Sequence, residues 1–173
     1  MTHFWLMKSE PDEVSIDDLA AAPGKKLPWF GVRNYQARNF MKEMKVGDAV
    51  LFYHSSTIPP GIAGLAKVVA PAHPDETQFE KKGNYFDSKA TKEKPIWYCV
   101  DVAFVKKFPR SISLDELRGM KALKDMTLLE RGSRLSVQPV TAEEWKEVCR
   151  MGGVRDTALS RASPGPAGTV KGS

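Results

Sequence analysis

Residues 96–108 read IWYCVDVAFVKKF, and their period decides the fold class. Alternation puts Ile96, Tyr98, Val100, Val102 and Phe104 on one face and Trp97, Cys99, Asp101, Ala103 and Val105 on the other. That is a β-strand. Two more apolar runs, AVLFYHS (49–55) and IAGLAKVVAPA (62–72), are joined by SSTIPPG and read as neighbouring strands around a Pro/Gly loop. HFWLMK (3–8), bounded by Glu10-Pro11, gives a first strand. RLSVQPV (134–140) gives a last short one, with Pro139 at its end or edge.

Between these runs the period changes. SIDDLAAA starts a short helix with Ser15 and Asp18 as a capping box, and Pro23-Gly24 stops it. NYQARNFMKEM is helical with Asn34 as its cap, ending near Val46-Gly47-Asp48. SISLDELRGM, with Ser113 as cap, and KALKDMTLLERG are short helical pieces. Thr141 and Glu144 form a capping box for TAEEWKEVCRMGG, which Gly152-Gly153 terminates. Residues 25–33 and the polar segment 71–95 read as loops. The order of strands and helices shows no β–α–β repeat and no glycine-rich nucleotide loop. It predicts an α+β domain over residues 1–153, a curled or closed sheet of about five to six strands flanked by short helices. Residues 154–173, rich in Ser, Pro, Gly and Ala, are expected to be a disordered tail.

The chain of 173 residues suffices for one domain with a sizeable core, and its 42% apolar and 27% charged content is that of a globular protein. No run approaches a membrane span, and MTHFWLMKSEPDE lacks the pattern of a secretory signal. Cys99 and Cys149 form no metal-ligand spacing, so neither a disulfide framework nor a zinc site is expected, and the cytoplasm, or the nucleus of a eukaryote, is the expected compartment. The net charge of +5 is compatible with a phosphate backbone as partner. Part of it lies in the tail, where Arg155, Arg161 and Lys171 face only Asp156.

Two constellations carry chemistry. Lys8-Ser9-Glu10 offers a nucleophile with a base, or polar groups of a binding pocket, or merely the solvated end of a strand; alternation sends Ser9 opposite to Lys8 and Glu10, against a nucleophilic pair. WFGVRNYQARN (29–39) combines aromatic rings, amides and guanidinium groups, a mixture suited to a planar, phosphorylated ligand. It reads equally as core aromatics and helix caps, and Phe52-Tyr53 carries the same ambiguity. His3, His54 and His73 show no ligand spacing, and no GxSxG or HExxH occurs.

Taken together, WLMKSEPDEVSIDDL, WFGVRNYQARNFMKEMKVGDAVLFYHSS, GIAGLAKVVAPAHPDETQF, YFDSKATKEKPIWYCVDVAFVKKF and LSVQPVTAEEW resemble the EVE domain family over residues 3–151. The resemblance implies a PUA-like β-barrel related to YTH and ASCH domains. It also implies a reader of nucleic acid carrying a modified base, modified cytosine in DNA first and a modified RNA base second. Trp29 matches an aromatic wall of the base cage in YTH relatives, and Tyr85 or Phe86 is the expected opposing wall. Ser9 and Asn34 are expected at the base edge, with Tyr53 nearby. Lys8, Arg33, Gln36, Arg134, Ser136 and Gln138 are expected at the rim and phosphates. The expected chain is a monomer without cofactor, metal, catalytic residues or membrane partner. The alternatives are an ASCH-like amidohydrolase acting on acylated cytidine and a protein-interaction module.

Overall fold

The computed structural model describes residues 2–132 and 134–154, and most of the expected tail lies outside them. Six strands form one mixed sheet in the order β2-β5-β4-β3-β1-β6: β1 Phe4–Ser9, β2 Lys26–Pro28, β3 Ala49–His54, β4 Gly61–Pro74, β5 Tyr98–Ser113 and β6 Val137–Val140. Only β1 and β3 run parallel. The edge strands β2 and β6 are not paired with each other among the described residues, so the sheet is curled but hydrogen-bonded as an open ladder. Of the curled or closed sheet of five to six strands expected from the sequence, the six-stranded curled form is the one present.

Four helices flank the sheet: α1 Ile16–Ala21, α2 Tyr35–Glu43, α3 Leu114–Arg118 and α4 Ala142–Met151. Each starts where a short polar side chain satisfies a free amide. Ser15, Ser113 and Thr141 form capping boxes with Asp18, Glu116 and Glu144, and the Asn34 side chain accepts from the Ala37 amide. KALKDMTLLERG forms two single 3₁₀ turns rather than an α-helix. None of the described helices is long and apolar enough to cross a membrane.

Period-2 alternation divides the core in two. Trp5, Met7, Val50, Phe52, Val100 and Val102 face α1, α2 and Trp29. Leu6, Leu51, Tyr53, Leu65, Phe108 and Ile112 face α3 and α4. Val154, assigned above to the tail, is buried in this second core and its amide donates to the Cys149 carbonyl at 2.8 Å.

The long strand departs from its sequence reading at both ends. Ile96 and Trp97 precede it, because the Gln78 side-chain oxygen takes both of their amides at 2.9 and 2.8 Å. Beyond Phe108 it continues through Pro109 to Ser113, past register shifts that place Pro109 in an irregular stretch of the ladder. One shift, opposite Leu65 and Ala66, reverses the alternation and turns Phe108 into the second core. Residues 26–28, read as loop, pair with Ala103, Val102 and Asp101 as the edge strand β2.

Candidate functional site

A cavity of about 550 Å³ opens between edge strand β2, the end of β1 and the segment preceding β6. Its wall is built from three places. Leu27 and Pro28 lead into Trp29, Phe30 and Gly31; Lys8 and Ser9 end β1, and Glu10 and Glu13 follow it; Arg134 and Ser136 precede β6. Tyr85 closes it from the long 75–97 segment, and Ser55 and Ser56 border it from the end of β3.

Strand pairing and packing fix the Trp29 wall. Its backbone amide donates to the Val100 carbonyl at 2.8 Å, and its ring meets Phe52 edge-on at 5.2 Å. Gly31 must be glycine here. Its φ is +87°, and a Cβ would come within 2.8 Å of Tyr85 Cζ. The Tyr85 ring thus lies against bare backbone, edge-on to Phe30 at 6.0 Å. Its hydroxyl donates to the Glu13 carboxylate. Burial and that carboxylate push the phenol up to about 12.

Behind this wall lies Asp75. Its carboxylate accepts from the Gly31 amide at 2.8 Å, from the Thr77 amide at 2.9 Å and hydroxyl, and from Arg33 Nη1 at 3.2 Å. Burial alone would raise this carboxyl, but the Thr77 and Gly31 hydrogen bonds and the Arg33 charge outweigh it and hold it below its ordinary value. Arg33 also donates to the carbonyls of Val32 and Tyr85 and to the Thr77 hydroxyl. Its five donors are all engaged, so it clamps the loop instead of offering itself to a phosphate.

The sequence candidates separate accordingly. Trp29, Ser9, Tyr85, Lys8, Arg33, Arg134 and Ser136 all line the first cavity. Asn34 and Gln36 instead line a second, more open hollow of about 680 Å³, which shares Arg134 with the first. The Asn34 side-chain oxygen is spent capping α2. Tyr53 is buried in the second core, on the opposite face of the sheet. Gln138 is buried and donates to the Leu135 carbonyl at 2.7 Å. Phe86 is exposed and lines none of the described cavities.

Sequence reasoning missed Glu13 and Asp75 altogether, and it cited Phe30, Ser55 and Ser56 without assigning them to the site. Asp75 had a local signal, since Asp-x-Thr is a turn-and-cap pattern. Glu13 had none, because its partner Tyr85 is 72 residues away.

The Lys8-Ser9-Glu10 trio is not arranged as a nucleophile and base. Ser9 Oγ donates to the Val14 carbonyl at 2.6 Å, closing the turn after β1. The Lys8 ammonium, lowered by burial, lies 5.8 Å over the Tyr53 ring. His54 Nε2 accepts from the Ile16 amide at 3.1 Å and so holds the start of α1. No cluster of three His, Cys, Asp or Glu suited to a metal occurs among the described residues.

A family model described as the EVE domain matches residues 3–151. The chain belongs to the EVE domain family. This EVE domain is 48% identical to thymocyte nuclear protein 1 of Rattus norvegicus, covering 84% of this chain and 71% of that one. A hypothetical protein from Leishmania major superimposes with a TM-score of 0.85 at 52% identity, over 88% of this chain and 96% of that one. The human THYN1 protein in complex with 5-methylcytosine-containing DNA superimposes with a TM-score of 0.82 at 44% identity, over 89% and 99%. An ASCH protein from Zymomonas mobilis, at 9% identity and a TM-score of 0.50 over 86% and 98%, shares the fold with the EVE domain.

Proposed function

We propose that this EVE domain binds DNA carrying a modified cytosine and seats the extruded base in the first cavity. The observation that carries the reading is the likeness to the human THYN1 protein bound to 5-methylcytosine-containing DNA. The cavity's size is in the usual range for small-ligand sites, roughly 300–1,000 Å³. Trp29, Phe30 and Tyr85 supply ring faces, and Glu10 and Glu13 supply acceptors suited to the exocyclic amine of cytosine. Arg134 supplies positive charge for a flanking phosphate.

The energies allow an extruded base to be held in the cavity. Unstacking a base costs about a few kcal/mol. Aromatic stacking worth about 1–3 kcal/mol per base offsets it. A buried methyl adds only about 0.8 kcal/mol, so discrimination between methylated and plain cytosine should be about fourfold if area alone decides. An amidohydrolase would need a base for Ser9, whose proton goes instead to a backbone carbonyl.

The test is the affinity of Trp29→Ala for a duplex carrying one 5-methylcytosine. The expected loss is about tenfold or more. The thermal midpoint is measured alongside, because Trp29 also packs on Phe52. Unchanged affinity would sink the assignment. Turnover of N4-acylcytidine that vanishes in Ser9→Ala would replace it with the hydrolase.

A further inference from the structure

The loop SSTIPP, residues 55–60, joins β3 to β4 beside the cavity. At its tip Ile58 is 98% exposed, well beyond Tyr35, Val46 and Phe86. A single exposed aliphatic is ordinary on a protein surface. This one is held out by its surroundings. Ser56 has φ +55°, the left-handed region that non-glycine residues seldom occupy and that gathers at functional sites. Pro59 and Pro60 fix two further φ angles. Both ends are stapled: the Ser55 amide donates to the Ser9 carbonyl at 2.9 Å, and the Pro60 carbonyl accepts from the Leu114 amide at 2.9 Å. Collapse of Ile58 onto the body is thereby opposed.

The position gives the side chain a use. Ser55 and Ser56 line the cavity, and Ile58 follows two residues later, within about 7 Å of Ser56 along the chain. Stacked bases on one strand are roughly 3.4 Å apart, so the tip lies within about two base steps of the cavity mouth. A base drawn into the cavity leaves a gap in its stack, and Ile is among the apolar side chains able to insert between base steps.

We propose that Ile58 is a wedge that enters the duplex where the modified base has left it. The proposal rests on the DNA-binding reading above and adds a residue outside the cavity to the recognition surface. It makes Ile58 matter for double-stranded DNA alone, since a single strand has no paired stack to refill.

The experiment compares wild type, Ile58→Ala and Ile58→Leu by fluorescence anisotropy on two probes, a duplex with one 5-methylcytosine and the same modified strand alone. Ile58→Ala is expected to weaken duplex binding about tenfold, from the lost apolar burial, and to leave single-strand affinity within about twofold. Ile58→Leu is expected to keep duplex affinity. The melting temperature of each variant should equal that of wild type, because the side chain is exposed. Unchanged duplex affinity in Ile58→Ala, or equal losses on both probes, would overturn the wedge and leave the cavity reading standing. A wild-type protein that binds neither probe would overturn both.

Discussion

Asp75 is a charge placed where water does not reach it, at 1% exposure, and each of its oxygens has donors. Through them it fixes Gly31 and Arg33, and Arg33 in turn holds the Tyr85 carbonyl. Removing this carboxylate leaves a guanidinium nitrogen, two amides and a hydroxyl without their acceptor, so Asp75→Ala should destabilise by about 3 kcal/mol, read from a urea titration. The pH dependence follows from the direction of its shift. The folded carboxyl titrates below its ordinary 3.8, so on acidification the unfolded chain takes up the proton first. Its stabilising contribution is complete above about pH 4 and is lost as pH falls through the lowered folded value. The variant should show a flatter stability curve in that acidic window. At this scale the sequence was half legible: Trp29 and Tyr85 were named, yet Arg33 was read as a phosphate contact. Its guanidinium is occupied by Asp75, Thr77 and the Tyr85 carbonyl, 42 to 52 residues away, and by the neighbouring Val32 carbonyl.

The helices were legible as elements because their signals are local. Ser15, Asn34, Ser113 and Thr141 each sit three residues from the amide they satisfy. The strands were less so. Three-residue β2 is too short for a period, and the extension of β5 past Pro109 depends on bulges set by its partner β4. The polar segment 71–95 read as loop because its first four residues extend β4 and side chains, Arg33 and Gln78 among them, order the rest. Gln78, fully buried, donates to the carbonyls of Asp75 and Trp97 and accepts from the amides of Ile96 and Trp97, all at 2.8–2.9 Å. That clamp fixes the two ends of the segment, and Arg33 and Glu13 hold Tyr85 against the cavity. Gln78→Ala should lower stability by about 2–3 kcal/mol by leaving buried groups unpaired. Native-state hydrogen exchange should speed up at the Ile96 and Trp97 amides. Unchanged protection there would mean that other contacts order the segment.

At the scale of the molecule, the first cavity comes from the seam that the open sheet leaves. Strands β1 and β2 are close in sequence but belong to separate parts of the ladder, with β5, β4 and β3 between them. The curl brings Ser9, Trp29, Tyr85 and Arg134 around one cavity, and no pattern within any single segment encodes that meeting. Resemblance to a family supplied most of it; the parallel pairing of β1 with β3 and the burial of Tyr53 on the opposite face needed coordinates. The four tryptophans report on the whole arrangement. Trp29 lines the cavity, Trp5 donates its indole N–H to Asp48, Trp97 donates to Asp87, and Trp145 lies in the other core, stacked on Phe4. Titrating the isotopically labelled protein with a duplex carrying one 5-methylcytosine, and following the four indole N–H resonances, tests the central claim directly. The Trp29 signal should move most while those of Trp5 and Trp145 stay in place. A bound complex in which the Trp29 resonance is unmoved would contradict the seating of the base in this cavity.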